Sequence, residues 1–214
     1  MTDSPSDTAD IDEAAAVERD ALSGWAADLA ATLSVAEWST AHGTVQMQVD
    51  RDAWRATAEA ARDQAGLRFF SWLSAVDWAR DVAVGEPVAD VDELEERYDV
   101  LCRLSTVTDA TGVILTASVP KDDPVIDSIV PVFGGAAWHE REAAEMFGLR
   151  FTGHPHLVNI YLPDEFEGHP LRKSFALLAR EVKPWPGTVD VEGMPEDGPS
   201  TENTEAASLE AGAE

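Results

Sequence analysis

Two runs of strict alternation constrain this chain more than any other feature. Tyr98, Val100, Cys102 and Leu104 take every second position of the first, and Val113, Leu115, Ala117 and Val119 of the second. Successive side chains of a strand point to opposite faces, so each run collects its apolar residues on one side. Residues 108–112 between them carry Asp109 and Gly112, which suit a reversal, and the pair predicts a β-hairpin. A hairpin with one apolar face is marginal alone and has to be covered by other elements. Thr44–Val49 supplies a third such strand, with Val45, Met47 and Val49 on one side and Thr44, Gln46 and Gln48 on the other.

Helical periods fall between these strands. Within residues 20–33, Leu22, Trp25, Leu29 and Leu33 share one helical face. Asp50 or Asp52 can cap a second helix that runs through Trp54 and Ala58 and ends at Gly66. Residues 67–72, rich in aromatics, predict a strand. Residues 80–96, acidic and broken by Gly85 and Pro87, predict a surface loop with a short helical stretch. Asp123 and Pro124 can start a short helix that Pro131 stops. Gly134 and Gly135 then introduce a helix from about Ala136 to Phe147, ended by Gly148. This order predicts an α+β domain, a small mixed or antiparallel sheet covered by helices, followed by an extended C-terminal ribbon.

Charge sets the domain limits. Of a net charge of −26, residues 1–20 contribute seven acids against one base, and residues 190–214 contribute eight acids and no base. Such ends bury too little apolar surface to offset ordering entropy. The expected organisation is therefore a disordered acidic arm at 1–20 and a domain at 21–175 whose ribbon spans 148–175. A tail follows over 176–214, acidic and disordered from about 200. Trp185, between Pro184 and Pro186, is expected to lie extended along a neighbour. So acidic a surface argues against nucleic-acid binding and against docking on anionic lipid. No apolar run approaches the roughly 20 residues of a membrane span, and the N-terminus lacks a signal-peptide layout, which predicts a soluble chain with no direct membrane insertion. The single Cys102 excludes an internal disulfide and any cluster ligated by several cysteines of this chain.

Residues 138–175 carry the chemistry, including four of the five histidines: His139, His154, His156 and His169. A zinc-hydrolase helix needs a second His four residues after the first, and none follows His139. His154, His156 and His169 could chelate a metal, but a simpler account exists. Phe151-Thr-Gly153-His154-Pro155 recurs as Phe166-Glu-Gly168-His169-Pro170. In each phrase Gly permits positive φ and Pro fixes its own φ, giving a stiff bend that orients an imidazole. Two such bends bracket residues 157–162 and predict a ribbon lying over other surfaces, which loses little entropy on docking. On the preceding helix Trp138, Glu142 and Met146 fall on one stripe, so Glu142 is expected among apolar neighbours and in need of a cation. Paired carboxylates could serve acid–base catalysis, but no nucleophile or phosphate loop accompanies them, which favours a structural ion-pair network. Arg172 leaves the second bend in a fixed direction. A pair with Glu140, Glu142 or Glu145 and a contact with an acid on a neighbouring subunit both fit, and the needs of Glu142 favour the internal pair.

The ordered string Glu140-Arg141-Glu142-x-x-Glu145-Met146-Phe147-Gly148, then Phe151-x-Gly153-His154-Pro155, then Gly168-His169-Pro170-Leu171-Arg172-Lys173 closely resembles the signature of the C subunit of bacterial NADH–quinone oxidoreductase, respiratory complex I. The family usually has Asp where Glu145 stands, Arg where Asn159 stands and Asp where Ser174 stands. The resemblance therefore carries no ion pair over at 159 and 174. It implies a non-catalytic peripheral subunit in the hydrophilic arm of a proton-translocating complex that passes electrons from NADH through flavin and iron–sulfur clusters to a quinone. It implies no catalytic, cofactor or metal residue on this chain, with flavin and clusters held by partner subunits, and it marks the string above as family and interface residues. The expected partners are other hydrophilic-arm subunits, the large quinone-module subunit above all, on the cytoplasmic side of the cell membrane. The equivalent subunit of a membrane-bound hydrogenase or other-donor dehydrogenase complex is the alternative.

Overall fold

The expected hairpin is the centre of the sheet. β4 (Arg97–Ser105) and β5 (Gly112–Pro120) run antiparallel, with Tyr98 opposite Val119, Val100 opposite Ala117, Cys102 opposite Leu115 and Leu104 opposite Val113. All eight side chains are buried. The computed structural model describes residues 6–80, 82, 83, 93–108 and 111–176, with side chains from position 17 onward except 18. Most of the loop expected at 80–96 and the tail beyond 176, Trp185 included, lie outside the described residues.

Three further strands complete a mixed sheet of order β1-β2-β5-β4-β3. β2 (Thr44–Val49) has the bounds its alternation predicts and pairs in parallel with β5, placing Val45 against Val113 and Met47 against Leu115. β3 (Phe69–Trp78) pairs antiparallel with β4 and is longer than the 67–72 strand expected, turning Leu73, Ala75 and Asp77 to the buried face. β1 (Glu37–Ala41) was not expected, because its five exposed residues show no alternation. It reaches β2 through His42 and Gly43, at φ 50° and 70°. Two successive positive φ values match the right-handed twist of the strands they join.

Helices cover one face. α1 (Ser6–Leu33) buries Ala26, Leu29, Ala30 and Leu33, and α2 (Trp54–Asp63) buries Trp54, Thr57, Ala58 and Ala61. α1 starts earlier than the 20–33 period predicts and runs through most of the 1–20 stretch, where Ala14, Ala15 and Ala16 favour helix at little entropic cost. The Asp50 side chain caps the 3-10 turn Arg51–Ala53 that leads into α2, accepting from the Asp52 N–H at 2.8 Å. α3 (Ala136–Phe147) packs on β3. Among the described residues no helix is long and apolar enough to cross a membrane.

The helix expected after Asp123 is instead a strand. β6 (Val125–Asp127) pairs in parallel with β7 (Arg150–Thr152), with Ile126 opposite Phe151 and both side chains buried. Val125 and Ile126 are β-branched, and the Arg150 N–H reaches the Pro124 carbonyl at 2.8 Å. Pairing with a distant strand outweighs the weak helix-start signal of Pro124. This small sheet brings the chain out of α3 and sets the direction in which the ribbon leaves.

Candidate functional site

α3 and the ribbon after it form one polar clasp. Gly135 precedes the helix, and Gly148 ends it at φ 77° with its N–H on the Ala144 carbonyl, as the flanking glycines predict. The buried stripe of α3 is Ala136, Glu140, Ala143 and Phe147. This corrects the stripe drawn through Trp138, Glu142 and Met146. Trp138 is 63% exposed and lies under the Arg141 guanidinium, 5.0 Å from ring centroid to Cζ. Glu142 is only partly buried, so the acid enclosed by apolar neighbours is Glu140.

Arg141 and Glu145 stand one turn apart and grip the same stretch of backbone. Arg141 donates from Nε to the Val158 carbonyl at 2.8 Å and from Nη2 to the Asn159 carbonyl at 3.1 Å. Glu145 accepts from the next three amides, Ile160 at 2.9 Å, Tyr161 at 3.2 Å and Leu162. Successive N–H groups converging on one anion make a nest. Burial alone would raise the Glu145 carboxyl, but the three amides and the Arg141 charge outweigh it and hold it below the usual carboxylate range.

The second bend plugs the C-terminal end of α3. His169 Nδ1 contacts the Glu145 carbonyl at 2.8 Å, the Leu171 N–H the Met146 carbonyl at 3.1 Å, and Arg172 Nε the Phe147 carbonyl at 2.7 Å. These are the carbonyls a helix leaves without internal partners, and a cation is favoured there. Arg172 also lies over the Tyr98 ring at 5.9 Å. Its expected pairing with a carboxylate of Glu140, Glu142 or Glu145 is therefore replaced by a helix-end carbonyl. Lys173 follows with its N–H on Asp77 Oδ2 at 2.8 Å, and Lys121 Nζ lies 2.6 Å from Asp77 Oδ1. Arg172→Ala should lower stability by about 1.5–3 kcal/mol, the loss of one charged hydrogen bond and one ring contact, and Arg172→Lys should recover little of it. Thermal unfolding of both variants checks this; an unchanged midpoint would remove Arg172 from the clasp.

Both repeated phrases bend as their residues predict, with Gly153 at φ 81° and Gly168 at φ 100°. His154 takes the His156 N–H on Nδ1 at 3.0 Å and reaches the Ala137 carbonyl from Nε2 at 3.2 Å, which assigns its proton to Nε2. Phe151 is buried, whereas Phe166 is 40% exposed and stacks on Phe175 at 6.0 Å between centroids. Pro155 and Pro170 close the two bends. His139 Nδ1 contacts the Leu73 carbonyl at 3.2 Å, so three of the motif histidines engage backbone. Among the described residues no group of three or more His, Cys, Asp or Glu side chains is placed to hold a metal. Cys102 is buried, and burial pushes its thiol up.

The clasp uses its charged groups on backbone and turns apolar side chains outward. Trp138, Leu157, Val158, Tyr161, Phe166 and Leu171 are all exposed. Backbone is gripped from one side while large apolar groups face the other, an arrangement suited to binding a surface.

Residues 47–181 match the family of the respiratory-chain NADH dehydrogenase 30 kDa subunit. The chain is 41% identical over 99 residues to the NADH–quinone oxidoreductase C subunit of Roseiflexus sp. (strain RS-1), covering 45% of this chain and 57% of that protein. It is 40% identical over 95 residues to the NADH–quinone oxidoreductase C/D subunit of Methylococcus capsulatus (strain Bath), covering 44% of this chain and 16% of that protein. The chain spans just over half the length of the curated C-subunit relatives it matches. A chain of the membrane-bound sulfane sulfur reductase, an archaeal respiratory membrane complex, shares the fold at a TM-score of 0.58 and 18% identity, over 71% of this chain and 83% of that one. With a family match across most of the described domain, the chain belongs to the 30 kDa subunit family of respiratory-chain NADH dehydrogenase, the family of the bacterial NADH–quinone oxidoreductase C subunits.

Proposed function

We propose that this chain is a non-catalytic structural subunit of a proton-translocating NADH–quinone oxidoreductase, and that its ribbon face docks on the large quinone-module subunit. The observation that carries the reading is the outward display of Trp138, Tyr161 and Leu171 by a clasp whose polar groups are occupied within the chain. A ribbon held in place before docking loses little entropy on binding, and aromatic anchors of this kind dominate interface energies. The C/D relative joins the matched module to a much longer chain, which supports a partner held permanently beside it. In this reading flavin and iron–sulfur clusters belong to the partner subunits, and the chain sits peripherally on the cytoplasmic side of the membrane by contact with them.

The test co-expresses the chain with the candidate partner and measures capture, together with NADH–quinone activity of the assembled complex. Trp138→Ala combined with Tyr161→Ala should weaken capture at least tenfold, about 1.4 kcal/mol, while costing the isolated chain no more than the exposed ring contact between Trp138 and Arg141. Undiminished capture by that variant would overturn the docking face. A chain carrying its own quinone-reducing or hydrolytic activity would overturn the non-catalytic reading.

A further inference from the structure

Glu140, unlike Glu145, holds no part of the ribbon. Its side chain is fully buried, between α3 and the segment that joins β6 to the helix. Oε1 accepts the Ile129 N–H at 2.7 Å, and Oε2 is buried without a hydrogen-bond partner. The facing groups come from three sides. Cys102 on β4 is a neutral thiol, and Ser128, itself fully buried, brings its hydroxyl from the β6–α3 segment. Arg55 on α2 is the cation acting on Glu140, but its fork is committed elsewhere. Nε donates to the Ser128 carbonyl at 2.7 Å, Nη2 to the Thr152 carbonyl at 2.8 Å, and Nη2 also lies 3.5 Å from Asp127 Oδ2. A buried carboxylate with a half-filled hydrogen-bond shell and no cation of its own is unfavourable by several kcal/mol, and the usual relief is to bind a proton.

We propose that Glu140 carries a proton in the folded chain, and that this proton keeps residues 128–133 seated against the start of α3, making the seating of α3 sensitive to pH. Burial pushes the carboxyl up to about 7, with the Ser128 hydroxyl, the Ile129 N–H and the Arg55 charge pulling it only partway back. A pKa raised in the folded state means that the native structure gains its advantage at low pH and loses it as pH rises toward about 7. Loss of the proton leaves a charge that only water can solvate, and the 128–133 segment is what must open to admit it. The Ala137 carbonyl on the first turn of α3 holds His154, so this opening reaches the first ribbon bend. The device is independent of what the exposed ribbon docks on.

Hydrogen exchange at the Ile129 amide of the full chain, corrected for the intrinsic pH dependence of exchange, reads the opening directly. Protection should fall roughly fifty- to a hundredfold between about pH 5 and about pH 8, and Glu140→Gln, which keeps the acceptor and the shape, should remove that slope. The glutamine variant separates the share of Glu140 from that of every other pH-dependent group of the chain. A wild-type amide without a slope, or a slope that survives in Glu140→Gln, overturns the proposal. Infrared spectroscopy of the wild-type chain labelled at glutamate gives a second readout that needs no variant. One protonated carboxyl should persist near about pH 6, where ordinary glutamates are ionised, and its absence would equally overturn the proposal.

Discussion

Gly148→Ala is expected to lower the stability of the chain by about 3–5 kcal/mol, a fall of the thermal midpoint on the order of 10 °C. The residue sits at φ 77°, where an L side chain is strained by about 1–2 kcal/mol. A β-carbon there would also overlap Nη2 of Arg172 and lie 2.7 Å from Nε2 of His169. An arginine tip can usually swing away. This one is held by the Phe147 carbonyl and the Tyr98 ring, and the imidazole is held by the Glu145 carbonyl. Yielding to the methyl group therefore uncaps α3. A double-mutant cycle separates the contributions. In an Arg172→Ala background the alanine should do less harm by the steric share, leaving the backbone strain. Equal losses in both backgrounds would show that the second bend does not close over Gly148.

Glu145→Ala should have the other large effect, about 2–4 kcal/mol, because it removes a charged acceptor shared by three amides and leaves only part of the difference to water. Hydrogen exchange should locate the damage, with the amides of Ile160, Tyr161 and Leu162 losing protection while those of β4 and β5 keep theirs. Global destabilisation without local release would contradict the nest. The pH dependence has a definite sign. A carboxyl held below its ordinary value stabilises the fold above that value and ceases to do so as pH falls through the depressed one. The ribbon should therefore loosen in acid, the reverse of the trend expected for Glu140. Glu145→Gln should keep one good acceptor, lose the charge, and fall between wild type and alanine.

The parts of this fold that were legible in the sequence are those where burial and local chemistry agree. β2, β4 and β5 alternate because one face is covered, and α3 carries a glycine at each end, so their bounds could be read directly. β1 was invisible because an exposed edge strand has no inner face to imprint a period, although the left-handed pair His42 and Gly43 was a usable hairpin signal. β6 was misread because its partner β7 lies beyond α3 in the chain, and local signals do not report a pairing made at that distance. The motif residues were identified, but their partners were not. Taking Trp138 as the inward residue set the helical phase wrongly, whereas Ala136, Ala143 and Phe147 share the phase that buries Glu140. Looking for charge partners for Arg172 and Glu145 overlooked backbone carbonyls and amides, which no side-chain pattern announces.

That the ribbon is gripped through its amides and carbonyls has a consequence for how such a surface can change. Arg141 and Glu145 read no side chain at positions 158–162, only the direction of the peptide groups. Any residue except proline offers the N–H that positions 160, 161 and 162 need. The outward side chains can thus be exchanged without loosening the hold that α3 keeps on the backbone. Outward display and anchoring are written in separate alphabets on one stretch of chain, and only the second is tied to the acidic helix.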